Sequence, residues 1–295
     1  MNNRLSKIAN KLNKKYYQVY LDYLMCKIKY NVTLGDYLNY EFYNLNNEER
    51  KSYLTYGINL KLINKYNNGS FTKYLDDSKL LKNKFHRYLN YNFLYLNNFS
   101  TFKTFIEDSP IILADNKEYK VNTKNYLHVY QELIDNKVNY LTSYYDICKE
   151  FKSLEPDGNV FIRFLMLKGK IVNAYLFIKY NNTMLFAPIN LETGIVDYPA
   201  TNNKLEVYDK SPITNESIIW FKIPRWPRVK RYVEKISEFI PEVSYATFDI
   251  TLTTNSPILI AASSKPKYTY YQLSLHRSDK YGIINTINKI RKEEK

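Results

Sequence analysis

With seven glycines in 295 residues, the chain has little material for a backbone cradle around phosphate. No Gly-x4-Gly-Lys-Ser loop, dinucleotide-binding glycine fingerprint or Gly-x-Ser-x-Gly elbow occurs. The three histidines, His86, His128 and His276, have no zinc spacing among themselves or with cysteine. The two cysteines, Cys26 and Cys148, lie far apart in the sequence, which argues against a disulfide framework and suits buried free thiols. Nowhere do about 18 apolar residues run together, and no apolar stretch follows the early lysines as in a secretory signal. The expectation is a cytoplasmic protein with no transmembrane segment.

What is abundant is Lys, Asn, Ile and Tyr. The formal net charge is +14 and the isoelectric point about 9.3, a balance that invites a nucleic-acid reading. The lysines are scattered, however, as codon bias in an A/T-rich genome would leave them, so no specific nucleic-acid partner is expected. A cationic face toward an anionic membrane surface, giving peripheral contact, or toward a nucleotide-linked substrate is compatible with the charge. The stretch IPRWPRVKR (223–231) mixes basic and aromatic residues as a nucleic-acid groove does. Pro227 at a helix start, with Trp226 packing beneath it, accounts for the same residues.

Along the chain, Leu5, Ile8, Leu12, Tyr16, Val19, Tyr20, Tyr23, Leu24 and Ile28 recur at helical spacing over 4–30, a stripe suited to packing. Gly35 interrupts this pattern. Helices are predicted over 36–43 and from the capping sequence at Asn46 to about residue 64. Asp76-Asp77-Ser78 starts a Lys-rich helix, followed by a strand at 93–96, a helix at 100–107 and a strand at 111–113. Residues 122–152 read as mainly helical. Strands are predicted at 160–167, 171–180, 184–188 and 195–198, and a helix from Pro227 to about residue 239. The stretch 247–266 reads as a hairpin with a polar turn at 254–257 and a loop, Ala261 to Ser264, that offers little to coordinate.

The order of these pieces is similar to that of the sugar-transfer-associated ATP-grasp family of capsular and other surface-polysaccharide genes. YNVTLGDYLNYEFYNLNNEERKSYLT (30–55) resembles its opening, and DDSKLLKNKFHRYL (76–89) its Asp-Lys…Asn-Lys segment. FLYLNNFSTFKTFIEDSPIIL (93–113) resembles its strand–helix–strand. INLETGIVDYPA (189–200), SPITNESIIWFKIPRWPRVKRYV (211–233) and the hairpin then follow in the family's order. The resemblance implies an α+β, ATP-grasp-like fold of two α+β subdomains behind a helical N-terminal region. It implies boundaries at 1–75 for the helical region, 76–152 for the N-terminal and lid subdomains, and 153–295 for the C-terminal subdomain.

Such enzymes join a carboxylate to an amine through an acyl-phosphate, using ATP and Mg²⁺. Lysines neutralise the phosphates, and oxygen ligands hold the metal. By resemblance, Lys79, Lys84 and Arg163 are nucleotide- or substrate-binding candidates and Asp249 the metal candidate; no catalytic residue is assigned. Where the family has Glu, Gly and Asn after the hairpin, this chain has Ala261, Ala262 and Ser263. Its Lys-Pro strand end aligns with Leu113-Ala114-Asp115, and its glycine flap with NKEYKVN (116–122). Its acidic pair aligns with Thr142-Ser143, its Asn-Thr-x-Arg with Asn159 to Arg163, and its His-Pro-x-Thr-Gly with Ser211 to Asn215.

Losing one preorganised group in such a site costs about 10²–10³ in rate. The joint losses point to a pseudoenzyme of surface-polysaccharide biosynthesis with little or no ATP turnover. Its partners would be polysaccharide biosynthesis enzymes or a nucleotide- or lipid-linked sugar intermediate. The alternative is an active ATP-dependent carboxylate-amine ligase acting on a sugar or polysaccharide precursor.

Overall fold

The segment Tyr245–Leu252 is buried at every position, so both faces of the sheet that holds it must be covered. The structure, a computed structural model, describes residues 2–114 and 117–293. Asp115 and Asn116, part of the strand end and flap compared above, lie outside the described residues.

The chain begins with helices α1 (Asn2–Lys11), α2 (Tyr16–Tyr30), α3 (Leu34–Asn39), α4 (Asn47–Lys51) and α5 (Tyr56–Tyr66), then α6 (Lys73–Asp76), α7 (Ser78–Lys84) and α8 (His86–Leu89). A βαββαβ unit follows: β1 (Phe93–Tyr95), α9 (Phe99–Asp108), β2 (Ile111–Ala114), β3 (Lys117–Lys120), α10 (Tyr126–Asp135) and β4 (Tyr140–Ser143). After α11 (Lys149–Leu154) come β5 (Val160–Leu167), β6 (Lys170–Tyr180), β7 (Thr183–Pro188), β8 (Ala200–Thr201), β9 (Val207–Tyr208) and α12 (Trp226–Ser237). The hairpin β10 (Tyr245–Leu252) and β11 (Pro257–Ser263), and finally α13 (Ile284–Lys292), follow, with short 3-10 turns at Phe42–Asn44, Thr269–Gln272 and Ser274–His276.

Two antiparallel sheets result. The smaller has the order β1-β4-β2-β3 and the larger β11-β10-β5-β6-β7-β8-β9. The small sheet packs Ile112 and Leu141 against Phe102 and Leu133 of α9 and α10. On the large sheet, alternation of side chains divides β5, β6 and β10 between two cores. Ile162, Phe164, Leu176 and Phe248 join Leu81, Phe151, Val229 and Val233 on one face. Leu165, Tyr175, Phe177 and Tyr245 join Tyr37, Phe42, Tyr53, Tyr270 and Ile287 on the other. The second face is thus covered by the N-terminal helices together with residues 268–290.

These two coverings are clasped to each other. Leu54 N donates to Gln272 Oε1 at 3.0 Å, and Gln272 Nε2 returns a bond to Leu54 O. Gly282 N donates to Ser52 Oγ at 2.7 Å, and Ile284 N to Ser52 O at 2.9 Å. A Cβ on Gly282 would lie 2.4 Å from Ser52 O, so only glycine allows this approach.

Several sequence-based boundaries shift for local reasons. The 4–30 stripe is two helices, because Asn13 takes a left-handed conformation (φ 52) that Asn tolerates; Ile28 faces solvent and not the core. Gly35 does not interrupt a helix but lies in the first turn of α3. Thr33 caps that turn by accepting from Asp36 N, and Asp36 accepts from Thr33 N in return. The helix predicted from Asn46 is broken at residues 52–55 by the clasp. Within 122–152 only α10 and α11 are helical, and β4 pairs with both β1 and β2. Residues 195–198 form isolated bridges, Ile195 with Lys222 and Val196 with Ile189. Ala261 to Ser263 are no loop: they pair with Asp249, Phe248 and Thr247 within β11.

Other expectations match the structure. Asp77 caps α7 through Leu80 N, and Cys26 and Cys148 are free and buried. Trp226 stacks on Phe164 (centroids 5.7 Å, planes 16°), and its Nε1 donates to Leu191 O. Arg225 bonds the hairpin carbonyls of Thr253 and Thr254, and Ile223, Trp226 and Val229 of the 223–231 stretch are buried while Arg225, Pro227, Arg228 and Arg231 are exposed. Gly194 lies beneath Trp226 with φ +73, and a Cβ there would stand 2.5 Å from Trp226 Cγ. We expect Gly194→Ala to lower stability by about 2–4 kcal/mol from backbone strain plus overpacking. Urea unfolding reads this directly, and an unchanged midpoint would refute it.

Candidate functional site between the two sheets

A cleft of about 440 Å³ separates the small sheet from the edge of the large one. Its floor is Val160 and Phe161 at the start of β5, with Thr251 of β10 and Ile260 of β11. Tyr140 and Thr142 of β4 form the opposite wall, and the connection leading to α11 adds Tyr144, Tyr145 and Asp146. Cations enter from three elements: Lys82 of α7, Lys152 of α11 and Lys179 of β6. Lys152 Nζ lies 2.5 Å from Asp146 Oδ1. The site therefore combines flat aromatic surfaces with three ammonium groups and with the carboxylates of Glu118, Asp146 and Asp157.

Lys82 is the most confined of these cations. Its residue is 4 % exposed, its Nζ sits 3.3 Å from the centre of the Tyr140 ring, and it donates to Ser78 Oγ at 3.4 Å. Burial draws its ammonium down to about 8, because removing a charge from water disfavours the charged form. Opposite it, the Tyr91 ring packs 5.4 Å from that of Tyr145. Burial pushes both phenols up, so they remain neutral.

Arg163 and Asp249 stand next to this cleft, directly opposite each other on β5 and β10. Arg163 Nε donates to Asp249 Oδ1 and Nη2 to Oδ2, both at 2.6 Å, while Nη1 donates to Tyr270 Oη at 3.1 Å. The guanidinium lies 4.8 Å over the Phe177 ring, and Phe177 stacks on the cleft residue Phe161 at 5.1 Å. Burial works against the guanidinium charge, but the two bonds and the charge of Asp249 outweigh it and raise its affinity for the proton. For Asp249, burial raises the carboxyl and Arg163 lowers it. The fork geometry keeps the pair ionised.

The sequence-predicted site residues therefore occupy separate places. Asp249 and Arg163 meet each other. Lys79 is exposed, with its Nζ 5.0 Å over Tyr95, and Lys84 is exposed beside Tyr74 and Phe239; neither lines the cleft. Lys82, the lysine of α7 that does, is not among the sequence-based candidates, although it falls at helical spacing between the buried Leu75 and Leu89. Thr142 lines the cleft, whereas Ser143 Oγ accepts from Asn92 N. Ser211 Oγ donates to Leu154 O and holds a turn.

The small residues after the hairpin also have partners. Ser263 Oγ and Ser264 N donate to Asp76 Oδ1, and Ser264 Oγ donates to Oδ2 at 2.6 Å. The end of β11 is thereby tied to α6. The residues present do not fit Mg²⁺: both Asp249 oxygens accept from Arg163, and the facing position on β11 is Ala261. Among the described residues no three His, Cys, Asp or Glu side chains are gathered as a metal site.

Two outcomes test these assignments. Asp249→Asn or Arg163→Met alone should each lower stability by about 3–5 kcal/mol, since either leaves a buried group without its partner. The combined Arg163→Met, Asp249→Leu chain should recover most of that loss in urea unfolding. Single variants as stable as the parent would overturn the pairing. For Lys82, the folded chain releases a proton near pH 8 that the unfolded chain holds to about 10.5, so the unfolded state binds more protons between those values. Stability should then rise across this window by about 3 kcal/mol more in the parent than in Lys82→Met. Identical pH slopes would refute the confinement of Lys82.

Comparison with known proteins bears on the region that holds β6 to β11. Residues 165–291 match the model of the family described as sugar-transfer associated ATP-grasp. No curated protein matches the chain in sequence. Among solved structures, the ATP-grasp ligase PsnB complexed with a phosphomimetic variant of its minimal precursor, Mg and ADP aligns at 8 % identity, over 81 % of this chain and 66 % of that one, with a TM-score of 0.44. D-alanine–D-alanine ligase from Bacillus anthracis aligns at 12 % identity, over 74 % and 69 %, with a TM-score of 0.37. N5-carboxyaminoimidazole synthetase from Staphylococcus aureus aligns at 12 %, over 68 % and 50 %, with a TM-score of 0.38. The chain spans about two thirds of the PsnB chain's length. Over residues 165–291 this α+β chain is thus similar to the sugar-transfer associated ATP-grasp family, the one its sequence resembles.

Proposed function

We propose that the chain is a binding member of that family in bacterial surface-polysaccharide assembly, holding an anionic nucleotide or nucleotide-linked sugar between its sheets with little or no ATP turnover. The observation that carries this reading is the fork between Arg163 and Asp249. The carboxylate best placed for a metal has both oxygens engaged, while the adjacent cleft retains its aromatic walls and lysines. Binding needs a face for stacking and cations for phosphate, and both are there. Phosphoryl transfer needs charge-stabilising groups aimed at the transferring phosphate, and the metal-side positions here are Ala261 and Ser263. The family's description as sugar-transfer associated supports a sugar-linked ligand. Polysaccharide biosynthesis enzymes that make or consume such a ligand are the partners this implies.

Calorimetric titration with ATP, a nucleoside diphosphate and a nucleoside-diphosphate sugar, each with and without Mg²⁺, tests the proposal. Binding should be insensitive to Mg²⁺, should weaken on the order of tenfold in Lys82→Ala as one charged contact is lost, and should release no ADP. Mg²⁺-dependent ATP binding with ADP release in the presence of a polysaccharide precursor would overturn it and favour the ligase reading.

A further inference from the structure

Helix α2 has two apolar faces and only one is covered. Val19, Tyr23, Cys26 and Tyr30 are buried in the second-face core. On the opposite side Tyr17, Leu21, Met25 and Ile28 recur at helical spacing and are 55, 54, 66 and 82 % exposed. Four large apolar side chains aligned along one exposed helix face form a patch and not a scatter.

The charge around this face identifies what covers it. Lys14 and Lys15 stand at one end of the stripe and Lys27 and Lys29 flank the other, all exposed, and α1 adds exposed Arg4 and Lys7. The one acid in the first thirty residues, Asp22, accepts from Arg50 and Tyr37 at 3.0 and 2.8 Å, where it is engaged within the fold. An apolar ridge edged by lysine, with tyrosine at its start, has the chemistry of a helix lying in a bilayer interface. Its side chains enter the acyl boundary while ammonium groups meet anionic headgroups. No helix of the described residues is long and apolar enough to cross a membrane, so the contact would be in the plane of the surface.

We propose that the outer face of α2 docks the protein on an anionic lipid surface. The reading is independent of the cleft ligand, since Tyr17, Leu21, Met25 and Ile28 all lie outside the cleft lining.

Vesicle co-sedimentation tests it with the full chain. Partition onto vesicles containing phosphatidylglycerol should exceed that onto phosphatidylcholine alone by on the order of tenfold or more, and should fall as salt screens the headgroups. Leu21→Glu with Ile28→Glu, at exposed positions, should abolish binding while leaving the unfolding midpoint in place. Lys14→Gln, Lys15→Gln, Lys27→Gln and Lys29→Gln together should remove the preference for the anionic vesicles. Equal binding by the parent and the double Glu variant, or no preference for anionic lipid, would overturn the proposal. So would a dimer in light scattering that the double Glu variant dissociates while the parent binds no vesicles, which would make the face an interface between copies.

Discussion

A guanidinium and a carboxylate removed from water on neighbouring strands constrain everything around them. Burying either charge alone is prohibitive, and the pair is tolerable only while both bonds of the fork are made. That requirement ties β5 to β10 in one register, with Arg163 opposite Asp249. It calls for a cover that can accept a hydrogen bond from a further guanidinium N–H, which Tyr270 provides, and for a flat surface beneath the fork, which Phe177 provides. The same ring meets Phe161, so the wall of the inter-sheet cleft rests on the ion pair's own support.

This arrangement explains why the second face of the large sheet is closed. Tyr270 and Tyr271 pack among Tyr175, Phe177 and Phe186, and the N-terminal helices lie over the rest of that face. Burial raises the phenols of Tyr175, Tyr270 and Tyr271 above their ordinary range and keeps them neutral. What remains open is one end of the large sheet's strands, where Val160, Thr251 and Ile260 face the cleft. A ligand there encounters stacking surfaces and lysine, with the Asp249 carboxylate closed off behind the Phe161–Phe177 stack.

Much of the architecture was legible in the sequence. The alternation through 160–167 and 171–180, the polar turn at 254–257, the Asp77 cap and Pro227 at a helix start are local signals, and local physics honours them. The family resemblance and the α+β class followed from the order of those elements. The remainder depends on distant partners. Arg163 and Asp249 are 86 residues apart, and only strand register brings them together. Lys82 differs from Lys79 and Lys84 by under one helical turn of phase, and its spacing from Leu75 and Leu89 is the local signal that it turns inward. Ser263 and Ser264 read as blank because Asp76, their partner, lies 187 and 188 residues away.

The clasp between residues 52–54 and 272–284 extends this dependence on distant partners into entropy. Ser52 and Gly282 are 230 residues apart in the chain, so the N-terminal helices are locked by groups that lie far from them in sequence. Without those groups Tyr53 and its aromatic neighbours lack part of their cover. Closing so long a loop is entropically unfavourable before its contacts form. The clasp therefore carries a high closure cost, which the joint packing of both segments on the second face of the large sheet offsets.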